Sequence, residues 1–121
     1  MIRTILLLAV AGLMLIALTG RVWAYSEDDE DTLLGKGAGA VLQAGNFQDT
    51  FIGAAAGYKN TTGSYNSFIG YSAGWYNTTG SNNSFIGADA GVVNTTGNDN
   101  SFVGTSAGYN NTTGYQNSFI L

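Results

Sequence analysis

The sequence predicts an all-β fold: a short parallel β-solenoid of about five 17-residue coils, preceded by a signal-peptide helix. Three observations predict it. Phe51-Ile52-Gly53, Phe68-Ile69-Gly70, Phe85-Ile86-Gly87, Phe102-Val103-Gly104 and Phe119-Ile120 recur every 17 residues. Each unit mixes strand formers (Thr, Tyr, Phe, Ile) with Gly and Asn, which supply turns and positive φ. A unit of 17 residues interrupted by three Gly positions is too short for a helix pair but holds short strands and turns.

The first element, residues 1–24, reads as a secretory signal peptide. Arg3 supplies the positive n-region, Ile5 to Leu18 the apolar run, and Val22-Trp23-Ala24 the cleavage triplet, so cutting is expected after Ala24. An uncleaved anchor is the alternative, because the run approaches the shortest membrane-spanning length. Gly20 and the cleavage triplet favour removal, and the absence of Cys excludes a lipoprotein.

Residues 25–32 form an acidic leader. The five contiguous acids Glu27 to Asp31 predict a solvated, mobile segment, and they lack the alternating oxygen ligands and glycine turn of a calcium loop. Without residues 1–24, only Lys36 and Lys59 oppose eight acids, a net charge of −6.

Residues 33–121 are the repeats. A worn copy, Asp31 to Gly39, comes first, with 18 residues from Leu33 to Phe51. The later copies carry Ala56-Gly57, Ala73-Gly74, Ala90-Gly91 and Ala107-Gly108 in register. They also align Asn-Thr-Thr-Gly at 60–63, 77–80, 94–97 and 111–114. Disorder does not require such a register, and one coil buries too little to offset the entropy of ordering it, so the coils must stack. Identical residues then form ladders about 4.8 Å apart, and five coils make a body about 24 Å long.

The candidate structural ladders are Phe51, Phe68, Phe85, Phe102 and Phe119; Ile52, Ile69, Ile86, Val103 and Ile120; and Gly53, Gly70, Gly87 and Gly104. Strand neighbours face opposite ways. With Ile inward the Phe column points out, and with Phe inward the Ile column does. Either way an outward apolar stripe remains that a partner chain should cover.

The composition argues against catalysis, cofactors and metals. There is no His and no Cys, which removes the commonest general base, the commonest metal ligand and every thiolate site. Asp49, Asp89 and Asp99 do not fall in register as ligand pairs. Asp89 and Asp99 read as solvated turn residues, not as a hydrolase pair. Ser67, Ser84, Ser101 and Ser118 have no base to activate them and suit ladders or turns. Nothing basic is present to hold a phosphate backbone, so nucleic acid is not an expected partner.

The Asn-Ser-Phe-Ile-Gly-x-x-Ala segment of Asn66 to Ala73, echoed at Asn83 to Ala90, Asn100 to Ala107 and Asn117 to Ile120, resembles the head repeats of YadA-type trimeric autotransporter adhesins. The Asn-Thr-Thr-Gly variant is similar to repeats of bacterial surface and tail-fibre-like proteins. The resemblance covers residues 31–121. It implies a left-handed β-roll, three chains side by side, and an adhesive head meeting a host or matrix surface. Those family repeats usually have 14 residues, and full adhesins continue into a stalk and a membrane anchor. This chain stops inside a repeat at Phe119-Ile120-Leu121, so a fragment or truncated reading frame is expected.

The expected function is therefore a non-enzymatic, exported or surface-displayed structural and adhesive module. It forms a homo-oligomer, a trimer by the resemblance, with no membrane segment in the mature chain. A flat face binding ice or carbohydrate is the alternative. Thr61, Thr78, Thr95 and Thr112, or Thr62, Thr79, Thr96 and Thr113, would supply hydroxyls, but adjacent Thr-Thr puts one column on each face. Tyr58, Trp75 and Tyr109 could stack on sugar rings, although Val92 interrupts them. A bare spacer within a larger fibre is the remaining alternative. Asn60, Asn77, Asn82, Asn94, Asn110 and Asn111 satisfy the glycosylation sequon, but Asn-Thr-Thr-Gly reads better as turn chemistry.

Overall fold

The computed structural model describes residues 8–10, 13–18, 21–26, 31–43 and 48–121. Among them, strands pair into one sheet in sequence order: β1 Leu8–Val10, β2 Leu13–Leu18, β3 Arg21–Ser26, β4 Asp31–Leu34, β5 Thr50–Ile52, β6 Ser67–Ile69, β7 Ser84–Ile86, β8 Ser101–Val103 and β9 Ser118–Ile120. From β4 to β9 every pair is parallel, each strand opening one coil of a β-solenoid.

The register is the repeat itself. Phe51 pairs with Phe68, Phe68 with Phe85, Phe85 with Phe102 and Phe102 with Phe119. The worn first copy joins in the same way, Leu33 opposite Phe51, and its 18-residue length is absorbed outside the strand. A one-residue slip would turn every Phe outward, so the buried face fixes the register.

The expected signal-peptide helix is not what the described N-terminal residues form. β1, β2 and β3 pair antiparallel, and β3 pairs antiparallel with β4 through Tyr25 opposite Thr32 and Ser26 opposite Asp31. The neighbouring edge explains the difference. β4 presents unpaired backbone groups on its outer side, and a preceding chain of strand-competent residues satisfies them by pairing. Residues 27–30 of the acidic run lie outside the described residues. Asp31, read from the sequence as solvated, is instead buried at the start of β4.

One coil illustrates the rest. Ser84–Ile86 is the strand, Asp89 (φ 57°) and Asp99 (φ 58°) occupy left-handed corners, and four side chains point inward: Phe85, Ala90, Asn94 and Asn100. Between corners the backbone bonds to the neighbouring coils, for example Gly87 N–H to Ile69 C=O at 2.8 Å and Gly91 N–H to Ala107 C=O at 2.9 Å. Gly91 is itself left-handed, at φ 59°, and a Cβ there would enter the Phe85 ring. The Ala-Gly pair thus makes room for the phenyl group at each level.

The interior has an apolar half and a polar half. Phe51, Phe68, Phe85 and Phe102 are fully buried and stack with Phe119, with centroids 4.7–5.0 Å apart and planes within 6–9°. Ala56, Ala73, Ala90 and Ala107 pack against them. The spacing is the inter-strand distance, so the ring stack is imposed by the sheet and reinforced by ring contact.

Candidate functional site

The outer face of the parallel sheet carries the most regular exposed chemistry. Because the central Phe of each strand points in, its neighbours point out. One outward column holds Thr32, Thr50, Ser67, Ser84, Ser101 and Ser118. Two residues along the strand runs the other, Leu34, Ile52, Ile69, Ile86, Val103 and Ile120. The two alternatives left by the sequence are thereby resolved: Phe lines the core, and the aliphatic column is the outward stripe. Ile69 is 36% exposed, Ile86 41% and Ile120 76%, a continuous aliphatic ridge beside a row of hydroxyls.

Gly53, Gly70, Gly87 and Gly104 end the strands at φ values of 123° to 141°. At Gly70 a Cβ would collide with the carbonyl of Gly87 in the next coil, so this column sets the close approach of successive turns.

The Asn-Thr-Thr-Gly segment is divided between inside and outside. Thr61, Thr78 and Thr95 each donate Oγ1–H to the carbonyl of the Thr one coil on, at 2.8, 3.0 and 3.1 Å. Thr62, Thr79, Thr96 and Thr113 are exposed, one hydroxyl column on that side. Asn60, Asn77 and Asn94 are fully buried, their side chains pointing away from any modifying enzyme. Of the sequon residues, Asn82 and Asn110 are exposed.

Those buried amides form the part of the molecule that sequence reasoning missed. Asn77 Nδ2 donates to Asn60 Oδ1 and Asn94 Nδ2 to Asn77 Oδ1, both at 2.8 Å, and Asn111 Nδ2 donates to Asn94 Oδ1 at 2.7 Å. A second column runs Asn66, Asn83, Asn100 and Asn117: Oδ1 of each of the first three accepts the backbone N–H of the next, and their Nδ2 groups donate to the Gly80, Gly97 and Gly114 carbonyls. A signal was available. Both Asn columns are constant across the later copies, whereas the true corner positions vary freely, as Tyr65, Asn82, Asp99 and Gln116 do.

Asp49 and Asp31 occupy the second column at its N-terminal end, in register with each other across the 18-residue coil. Asp49 N–H donates to Asp31 Oδ1 at 2.8 Å. Asp49 Oδ1 accepts from Asn66 N–H at 2.7 Å, and its Oδ2 accepts from Asn60 Nδ2 at 2.8 Å. Burial pushes the Asp49 carboxyl up to about 7, with the Asp31 carboxylate adding to the rise and the Asn66 and Asn60 hydrogen bonds opposing it. Among the described residues no three His, Cys, Asp or Glu side chains gather as a metal site.

Just after the Ala55 and Ser72 corners, Tyr58 stacks on Trp75 with centroids 4.7 Å apart, and Lys59 Nζ sits 4.7 Å over the Tyr76 ring. Val92 is buried at the next level and ends the series. Trp75 Nε1 is buried without a hydrogen-bond partner in the chain. A shallow cleft of about 420 Å³ lies against the last coil, lined by Ser106, Tyr109, Asn110, Asn111 and Phe119. Phe119 and Asn111 are members of interior columns, so this cleft lies at the open end of those columns.

No family model matches the chain, and neither a curated protein nor a solved structure does.

Proposed function

We propose that this chain is a non-enzymatic structural and adhesive module, exported by its N-terminal segment, and that it self-associates through the outer face of its parallel sheet. The observation that carries the reading is the column Leu34, Ile52, Ile69, Ile86, Val103 and Ile120, an aliphatic ridge left uncovered by a chain whose other hydrophobic ladder is fully buried from Phe51 to Phe102. Each Ile taken from water contributes up to about 1.5–3 kcal/mol, scaled down by what is already buried. A face about 24 Å long and about 10 Å wide, roughly 240 Å², is small beside the ~800 Å² per partner of stable complexes, so association rises with concentration.

Resemblance to YadA-type head repeats supplies the finer expectation of a left-handed roll, three chains per assembly, and display towards a host or matrix surface. The 17-residue coil length sets it apart from the usual 14-residue unit of those heads.

A second reading draws on the same face. Its hydroxyl and aliphatic columns repeat at fixed spacing along and across the strands, and such a flat lattice suits ordered water or ice as well as a partner chain. Light scattering behind a sizing column, with circular dichroism on the same peak, separates the two. A β-rich oligomer whose mass falls to that of the monomer on Ile69→Glu plus Ile86→Glu supports self-association. A β-rich monomer at every concentration removes it, and thermal hysteresis of that monomer favours the ice-binding reading.

A further inference from the structure

The interior amide column has one irregularity. Asn66, Asn83 and Asn100 each do two things: Oδ1 accepts the backbone N–H of the next column member, and Nδ2 donates to a glycine carbonyl 14 residues ahead, Gly80, Gly97 and Gly114, at 2.8–2.9 Å. Asp49 reproduces the first bond, accepting Asn66 N–H at 2.7 Å, but has no amide with which to make the second. The carbonyl in the equivalent register is Gly63, 2.7 Å from Asn60 Nδ2, and the same nitrogen lies 2.8 Å from Asp49 Oδ2. Asn60 Nδ2 serves both with its two hydrogens, while Asp49 Oδ1 makes the bond of Asn66 Oδ1, so that Oδ2 takes the place of Asn66 Nδ2, on the side of the glycine carbonyl.

A protonated Oδ2 can give its hydrogen to that carbonyl and complete the pattern of the other coils. An ionised one sets negative charge against a carbonyl oxygen and against Asp31, whose Oδ1 accepts the Asp49 N–H one coil below. Towards the next coil Asp49 faces the neutral groups Asn60, Gly63 and Asn66, and its chain neighbours Gln48 and Thr50 are neutral. The charged group acting on it is Asp31.

We propose that the stacked pair Asp31 and Asp49 makes attachment of the first coil to the rest of the solenoid pH-dependent, held when Asp49 is protonated and loosened when it is ionised. The sign follows from linkage. The carboxyl titrates near 3.8 when unfolded and about 7 in place, so the folded coil binds more protons, and stability falls as pH rises from about 4 to about 7 and is level above. A chain exported into acidic surroundings would keep a closed first coil. Neutral surroundings would free the β4 edge for other pairing.

Hydrogen exchange by NMR on the full chain at pH 5 and pH 8, corrected for intrinsic rates, tests this. Thr32, Gly53 and Ala55 report on the first junction, because their N–H groups bond to Asp49, Leu34 and Lys36 carbonyls. Gly87 and Ser106 report on later coils. Protection at the first three should fall about ten- to hundred-fold at the higher pH while the last two hold. Asp49→Asn, which installs the residue of the other coils, should keep protection high at both. Equal protection at both pH values in the natural chain would overturn the proposal. So would an equal fall at Gly87 and Ser106, or the same fall in Asp49→Asn.

Discussion

Asn77 donates through Nδ2 to Asn60 Oδ1 at 2.8 Å, and its own Oδ1 accepts from Asn94 Nδ2 at the same distance, all three side chains being fully buried. A second Nδ2 hydrogen goes to the Gly80 carbonyl at 2.8 Å. The polar half of the core is thus a chain of amides in which each member is both donor and acceptor, and each coil is locked to its neighbours through groups that are costly to leave unpaired.

Asn77→Leu should therefore cost about 2–4 kcal/mol, because it leaves Asn60 Oδ1 and Asn94 Nδ2 each short of a buried partner. Asn111→Leu should cost less. Asn111 is only part-buried, and two of its bonds are long, 3.3 Å to Gly114 and 3.4 Å from Asn117. Urea unfolding followed by far-ultraviolet circular dichroism gives both values, and equal losses would speak against a continuous ladder.

Gly91→Ala tests the apolar half. The residue has φ 59°, and the new methyl would lie within the Phe85 ring, so strain and overpacking add to about 2–4 kcal/mol. A melting temperature unchanged by this substitution would mean that the phenyl column is not seated where described.

Tyr65→Gly should do the reverse. Tyr65 is 55% exposed and held at φ 62°, where a side chain costs about 1 kcal/mol and its contacts return little. A rise in thermal stability is expected, measured by the same melting curves. Destabilisation would indicate that the tyrosine ring packs on a partner.

The architecture was legible because the repeat states it directly. A Phe-Ile pair recurring at constant interval fixes strand, register and coil length at once, and the parallel pairs Phe51–Phe68 and Phe68–Phe85 follow from it. Alternation alone could not say which of Phe and Ile lies inside. That choice is made by Gly74 and its counterparts, whose missing Cβ is the space the ring occupies, a contact between residues six apart around a bend. Asn-Thr-Thr-Gly has the composition of a turn, which conceals the buried place of Asn77. The corners lie instead at Ser72 and Asn82, and their counterparts include Ala55 and Tyr65, residue types that give no sign of left-handed backbone in the sequence. Asp31 was hidden by its acidic neighbours, whose solvation it does not share.

Because the chain has no cysteine, a single introduced thiol reports on one position. Oxidation of Ile86→Cys, on the aliphatic column, compared with Thr79→Cys, on the exposed Thr column, is the most direct test of the self-associating face. Rapid formation of a disulfide-linked dimer by Ile86→Cys alone, with slower maleimide labelling than Thr79→Cys, is the predicted result. Equal labelling rates and no preferential cross-link at position 86 would contradict the account.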